Sequence, residues 1–135
     1  EEGIENLILN YVKKNRIKNY FLLDVTVPKI FQFIKNKKKN NLCLRISKFE
    51  KLNQLNFFNK KIEWIWVDTF DNKIPLNIND LEGYSKKFKL CLVSPELVKT
   101  NNIDVTKFIK INKYKLNFFS AVCSKNIKTW EKYGY

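Results

Sequence analysis

The stretch Trp64-Ile65-Trp66-Val67-Asp68 is apolar on both faces of an extended chain and ends in a carboxylate. Successive side chains of a strand point to opposite faces, so the two tryptophans share one face and Ile65 and Val67 share the other. A strand that is apolar on both faces is typical of a parallel sheet, which is covered on both sides. This stretch therefore favours the α/β class of folds.

Four other short apolar runs in the chain end in polar residues in the same way. Helix-like segments separate the runs, and this alternation is the sequence pattern of βαβ units. The pattern predicts a parallel sheet of about five strands, as in α/β barrels and in open parallel sheets. The other four runs are Tyr20–Asp24, Leu42–Ser47, Leu90–Glu96 and Phe118–Lys125.

Between the runs, apolar residues recur at the spacing of amphipathic helices. We expect Asn79 or Asp80 to cap one helix and Asp104 another, because short polar side chains accept hydrogen bonds from free helical N–H groups. The predicted helices cover Glu5–Lys14, a segment from Pro28 to Asn41, Phe49–Lys60, a segment ending at Phe88, a segment from Asp104 to Lys110, and Ile127–Tyr133.

The length of the chain indicates a single domain over residues 1–135. A complete eight-stranded α/β barrel needs about 250 residues, so this chain accounts for only part of one. The chain contains no methionine and begins at Glu1. We expect it to be the C-terminal part of a longer protein.

The formal net charge is +13, which by itself suggests an anionic partner. Lysine, however, supplies all but two of the 26 basic residues, and asparagine and isoleucine are also very frequent. AT-rich codons favour these three residue types. Proteins that read nucleic acid usually rely on arginine, and here only Arg16 and Arg45 are arginines. We therefore attribute the charge to genomic bias and do not expect nucleic acid as a partner.

Several classes of site are missing from the sequence. The three cysteines, Cys43, Cys91 and Cys123, are widely spaced within apolar runs, which is typical of core residues. Unpaired cysteines suit a reducing compartment, so we expect a cytoplasmic protein. The chain has no histidine and no Cys-x-x-Cys, so no metal site is predicted within it. No glycine follows a strand, which argues against nucleotide-binding loops. No apolar stretch has the length of a membrane span.

In parallel α/β folds the functional site lies at the carboxyl ends of the strands. The candidate substrate-binding residues at these ends are Asp24, Arg45, Asp68, Glu96 and Lys125. Carboxylates there can bind a metal or act as a base, and cations can neutralise a phosphate. The sequence therefore indicates a small-molecule or phosphate-handling site, and it leaves the catalytic residues undefined.

Structural roles remain open for the same residues. Arg45 lies within an apolar strand and needs an anionic partner, which could be a substrate phosphate, Asp24 or Asp68. Asp24 could instead cap the helix that follows it. Ser47 and Glu50 have the spacing of a capping box, which would be purely structural.

Taken together, five segments resemble the C-terminal part of bacterial glycerophosphodiester phosphodiesterase-like barrels, of the kind associated with surface-polysaccharide biosynthesis. The segments follow the order of that family and cover nearly the whole chain. They are Phe21-Leu22-Leu23-Asp24-Val25-Thr26-Val27-Pro28, Arg45-Ile46-Ser47-Lys48-Phe49-Glu50, Trp66-Val67-Asp68-Thr69-Phe70, Val93-Ser94-Pro95-Glu96-Leu97 and Val122-Cys123-Ser124-Lys125.

The resemblance implies a partial TIM barrel, in which residues 1–135 are the C-terminal portion of a (β/α)8 barrel and the missing partner is the N-terminal half of the same polypeptide. It also implies a hydrolase with a small phosphorylated substrate, namely a phosphodiester or a phosphorylated glycan or lipid precursor. In that family the histidines and acidic metal ligands come mainly from the N-terminal strands. This chain has no histidine, so the resemblance implies that it is inactive alone and that a divalent metal belongs to the full-length protein. Two alternatives stay open: a non-catalytic basic α/β module that binds nucleic acid or an anionic polymer, and a degenerate barrel that serves as a scaffold.

Overall fold

The computed structural model describes residues 4–35, 42–51, 55–58, 60–98 and 104–135. Within these ranges helices and strands alternate along the chain, which confirms the predicted α/β class. The helices are α1 (Glu5–Lys14), α2 (Val27–Lys35), α3 (Leu55–Phe58), α4 (Ile78–Ser85), α5 (Val105–Leu116) and α6 (Ile127–Lys132), and the strands are β1 (Cys43–Ile46), β2 (Trp64–Val67), β3 (Lys89–Val93) and β4 (Ala121–Cys123).

The four strands form one parallel sheet in the order in which they occur along the chain, β1-β2-β3-β4. In this register Arg45 lies beside Trp66, Trp66 beside Cys91, and Cys91 beside Ala121. Sequential parallel neighbours joined by helices are the arrangement of an α/β barrel. The sheet formed by the described residues is not closed, which agrees with the predicted partial barrel.

One face of the sheet carries the main hydrophobic core. Ile65 and Val67 of β2 and Leu90 and Leu92 of β3 are inaccessible to solvent on this face. They join one apolar cluster with side chains of the helices, among them Ile30, Phe33, Leu81, Phe108, Ile109 and Trp130. The helix layer thus covers the face formed by every second strand residue, as the two-residue period of a strand requires.

The opposite face of the sheet is only partly covered. Arg45, Trp64, Trp66, Ala121 and Cys123 are all half-buried on this face. Consecutive crossovers of one hand place all connecting helices on the same side of a sheet, so the second side receives no helix from them. In a complete barrel this side would face the interior.

The first predicted strand, Tyr20 to Asp24, contributes only a single bridge. Leu22 pairs in parallel with Leu42, just before β1, and the backbone N–H of Cys43 donates to the Leu22 carbonyl at 3.0 Å. Asp24 has a φ of 61°, in the left-handed region, which turns the chain out of an extended conformation. Among the described residues the sheet therefore has four strands, where the sequence predicted about five.

The described helices lie in the segments that the sequence pattern predicts, but some begin at another cap or end at another residue. Asp104 caps α5, as predicted, by accepting a hydrogen bond from the N–H of Lys107 at 3.0 Å. The cap of α4 is Asn77, not Asn79 or Asp80, and its side chain accepts from the N–H of Asp80 at 2.9 Å. Of the predicted helix Phe49–Lys60 the structure shows α3 alone, and residues 52–54 and 59 lie outside the described ranges.

The longest described helix is α5, with 12 residues. None of the helices in the described ranges combines the length and the apolar character that crossing a bilayer requires.

The buried centre of β2 should dominate stability. Replacing Ile65 by alanine leaves a cavity beneath the helix layer and should lower the free energy of unfolding by about 2–5 kcal/mol. The measurement is chemical denaturation followed by circular dichroism. Leu7, whose side chain is largely exposed on α1, is the control, and Leu7→Ala should change stability by less than about 0.5 kcal/mol. Equal effects of the two substitutions would contradict the assignment of the core.

Candidate functional site

The candidate site residues all lie at or near the carboxyl edge of the sheet, but they form two separate groups. Arg45 contacts both Asp24 and Asp68 at the ends of β1 and β2. Glu96 lies at the ends of β3 and β4, where the backbone of Lys125 contacts it. The parallel order of the strands brings their polar ends to one edge, and the two groups occupy different parts of that edge.

Arg45 pairs with both neighbouring carboxylates. Its Nη2 lies 2.9 Å from Oδ1 and 3.2 Å from Oδ2 of Asp24, and its Nε lies 3.3 Å from Oδ2 of Asp68. The Nε atom is buried and has no well-aligned hydrogen-bond acceptor among the described residues. The Arg45 side chain as a whole is 37% exposed, and two carboxylates from other segments pair with its guanidinium.

Asp68 is the most buried member of this group, with 6% of its side chain exposed. Its Oδ1 accepts a hydrogen bond from the indole Nε1 of Trp66 at 2.9 Å. Burial raises the pKa of the Asp68 carboxyl, against the lowering effects of the Trp66 hydrogen bond and the Arg45 charge. Trp66 and Asp68 are two positions apart at the end of a strand and therefore share one face. This spacing in the sequence predicts that the two side chains can meet.

Asp24 is the exposed member of the group. Its carboxylate binds Arg45, so the contact that the structure shows is the ion pair and not a helix cap. Its backbone adopts a left-handed conformation, which aspartate tolerates better than most residues and which is common at functional sites.

A cleft of about 490 Å³ opens beside Arg45 and Asp24. Its walls come from the loop that precedes α2, from β1 and from the turn that follows β1. The cleft is of the size that small-molecule sites have. It also contains Lys51, which the sequence patterns had not singled out. The lining residues are Asp24, Val25, Thr26, Val27, Cys43, Leu44, Arg45, Phe49, Glu50 and Lys51.

Ser47 closes the turn after β1. Its hydroxyl oxygen accepts from the N–H groups of Phe49 and Glu50, both at 3.1 Å, and its own N–H donates to the Glu50 carbonyl. This is the contact expected of a capping serine, but it closes a turn in place of a helix. The capping box that the spacing suggested is therefore not formed, because Ser47 closes a turn and its contacts with Glu50 use the Glu50 backbone.

Glu96 joins the ends of β3 and β4. Its Oε1 accepts from the hydroxyl of Ser124 at 2.5 Å and from the backbone N–H of Lys125 at 3.1 Å, and its Oε2 accepts from the hydroxyl of Ser94. The indole Nε1 of Trp130 donates to the Ser94 oxygen at 3.1 Å. The network ties the loop after β3 to the loop after β4 and to α6.

The Glu96 carboxylate is stabilised in its charged form. Burial by itself would raise its pKa, but the hydrogen bonds from Ser124, Ser94 and the backbone N–H groups outweigh burial and bring the pKa below its usual range. Only the backbone of Lys125 takes part, and its side chain is exposed. Glu96, Ser94, Ser124 and the backbone N–H of Lys125 are together called the clip. Its contacts connect the ends of β3 and β4, so its role is structural.

The three thiols lie on the partly covered face of the sheet. All three cysteines are unpaired, and Cys43 and Cys91 are buried. Burial raises the pKa of both thiols to about 12, so they are protonated at neutral pH and behave as small apolar side chains. Within the described ranges no group of three or more acidic, cysteine or histidine side chains is placed to hold a metal ion.

No protein-family model matches this chain, and no curated protein or solved structure gives a significant match. The resemblance to glycerophosphodiester phosphodiesterases therefore stays a prediction.

Ser94 should be essential for the order of the β3–β4 edge. Ser94→Ala removes a donor to Glu96 and leaves the buried indole N–H of Trp130 without its acceptor, so it should cost about 1–3 kcal/mol of stability. Urea denaturation measures this loss. Ser85, whose hydroxyl donates to a helix carbonyl at the surface, is the control, and Ser85→Ala should be nearly neutral. A neutral Ser94→Ala variant would show that the clip does not stabilise the fold.

The lowered pKa of Glu96 gives the clip a pH dependence with a definite sign. A carboxylate whose pKa is lower in the folded state stabilises the protein above its unfolded pKa of about 4.3 and loses that effect as the pH falls through its folded value. At pH 7, Glu96→Gln should be less stable than the unmodified chain by about 1 kcal/mol, since the charge is only partly buried. This difference in the free energy of unfolding between the two proteins should become smaller as the pH falls below about 4.3. Glu131→Gln, at an exposed position of α6, serves as the control. If the difference in stability between Glu96→Gln and the unmodified chain does not change with pH, the charge of Glu96 does not stabilise the fold.

Proposed function

We propose that this chain forms the substrate-side half of a phosphodiesterase-type barrel hydrolase. The substrate is a phosphodiester or a phosphorylated glycan or lipid precursor, and the catalytic groups come from another part of the same protein. The main observation in support is the position of Arg45, which lines a cleft of about 490 Å³. The cleft lies at the carboxyl edge of a parallel sheet whose strands follow one another in sequence order, as they do in an α/β barrel.

The contacts of Arg45 support a binding role for its guanidinium. Nη2 and Nε face Asp24 and Asp68, whereas no described residue accepts a hydrogen bond from Nη1. A guanidinium held by two carboxylates is already oriented, so less rotamer freedom is lost when its remaining donors bind a phosphate oxygen. Lys51 lines the same cleft and provides a second cation.

The open face of the sheet supports the barrel part of the proposal. Parallel sheets are covered on both faces, and here the helix layer covers one. The half-buried side chains of the other face would become the interior of a closed barrel, with Arg45 and Asp68 near its mouth. This reading places the substrate above the carboxyl ends of the strands, as in other α/β barrels.

The chemistry of the proposal is metal-assisted hydrolysis. A divalent metal in the full-length protein would polarise the phosphoryl oxygen when bound. The described residues contain no cluster that could hold it, so its ligands are assigned to the remainder of the protein. The part of this chain is to bind the substrate through Arg45 and Lys51 and to stabilise negative charge on the phosphate.

Arg45→Lys in the full-length protein tests the proposal. Lysine keeps a positive charge between the two carboxylates but lacks the planar fork of donors. We expect kcat/KM for a glycerophosphodiester to fall at least about tenfold, with a loss of stability of about 1 kcal/mol. The measurements are steady-state kinetics and urea denaturation of the same samples.

The second arginine of the chain gives a matched control. Arg16 lies in an exposed turn after α1, and Arg16→Lys should change neither measurement. If Arg45→Lys lowers stability as much as it lowers transition-state binding, Arg45 is a structural ion pair. If the unmodified full-length protein hydrolyses no phosphodiester, the proposed reaction is wrong.

A further inference from the structure

The outward face of α5 is basic and apolar at the same time. The 12 residues of this helix include four lysines and no acidic residue. Positions that recur every three to four residues share a helix face, which places Lys107, Lys110, Ile111 and Tyr114 together on the side exposed to solvent. The side chains of Ile111 and Tyr114 are 72% and 69% exposed.

The packing of α5 does not require these exposed apolar residues. Its inward face is complete without them, since Val105, Phe108, Ile109 and Leu116 are buried against the sheet. Lys115 is directed inward as well, and its Nζ donates to the carbonyl of Leu76 at 3.0 Å. The outward side of the helix has an apolar centre with lysines around it. This surface is therefore available to a partner.

The positive charge of the described chain is unevenly distributed. Residues 104–135 contain seven lysines and two acidic side chains, whereas residues 60–98 contain six of each. On α4 the acidic residue Glu82 pairs with Lys86, but within the described ranges no ion pair joins Lys107, Lys110 or Lys113 to a carboxylate. The carboxylate of Asp104, at the start of α5, accepts a hydrogen bond from the backbone N–H of Lys107 and makes no ion pair with the described lysine side chains of this face.

We propose that the outward face of α5 binds the surface of an anionic phospholipid bilayer. Ile111 and Tyr114 enter the interface between headgroups and acyl chains, and Lys107, Lys110 and Lys113 contact the phosphate groups around them. A basic rim around exposed apolar and aromatic side chains is the composition of helices that lie in a membrane interface. Residues 104–135 contain no arginine, and their exposed centre offers two apolar bodies, which suits lipid better than nucleic acid.

This surface belongs to the helix layer, on the other side of the sheet from the partly covered face. Binding to a bilayer would therefore leave the carboxyl edge and its cleft free. The inference is independent of the proposed function, because it rests on α5 and not on Arg45.

Sedimentation with vesicles of phosphatidylcholine, with and without phosphatidylglycerol, tests the proposal. The chain should bind the anionic vesicles, bind the neutral ones far more weakly, and dissociate as salt is added. Lys107→Glu with Lys110→Glu should lower the partition coefficient at least about tenfold. The matched control, Lys18→Glu with Lys73→Glu, makes the same change of net charge at exposed positions elsewhere and should retain binding within about twofold.

A second variant separates lipid from other anionic partners. Ile111→Ser should weaken vesicle binding several-fold while leaving the weak binding to a DNA duplex unchanged, because only the bilayer receives the apolar side chain. Circular dichroism should show all variants folded, since every substituted side chain is exposed. Equal losses in the α5 and control variants, equal binding to both vesicle types, or tighter binding to the duplex than to the anionic vesicles would overturn the proposal.

Discussion

The parallel pairing of β2 with a neighbour on each side is the constraint on which the rest of the structure depends. Because all four strands run in the same direction, their carboxyl ends meet at one edge, and the polar residue after each strand arrives there. The apolar residues Ile65 and Val67 anchor this sheet to the helix layer. The position of each candidate residue at the edge thus follows from the order and direction of the strands.

Arg45 and Glu96 show how differently two charged residues at this edge can be used. Glu96 is surrounded by donors that favour its charged form, and its acceptor oxygens are occupied by the protein itself. Arg45 faces two carboxylates, one of them buried, and still has a donor group beside an open cleft. A residue whose bonds are completed internally stabilises the fold, whereas one with donors left over is available to a ligand.

The molecule presents two surfaces of opposite character. The face of the sheet that bears the tryptophans is half-buried and lies beside the cleft, so it belongs to the proposed barrel interior. The outer face of α5 lies in the helix layer and combines lysines with exposed Ile111 and Tyr114. Because the sheet separates them, a protein with both properties could hold a membrane with one side and a phosphorylated substrate with the other.

The sequence by itself determined the α/β class, the parallel sheet, most helices and the cap at Asp104, because the periods of apolar residues and capping preferences act within a few residues. It also brought the candidate residues to the strand ends. Only the tertiary structure decided that Tyr20–Asp24 forms a single bridge, that Asn77 caps α4, that Arg45 pairs with Asp24 and Asp68, and that Glu96 forms a clip with Ser94 and Ser124. The Leu22–Leu42 bridge, the Arg45 ion pairs and the Glu96–Ser124 hydrogen bond join residues 20 or more positions apart, and the geometry between strands selects them. The cap at Asn77 and the Ser94–Glu96 bond are local in sequence, where neighbouring polar residues offered alternatives that the local pattern could not separate.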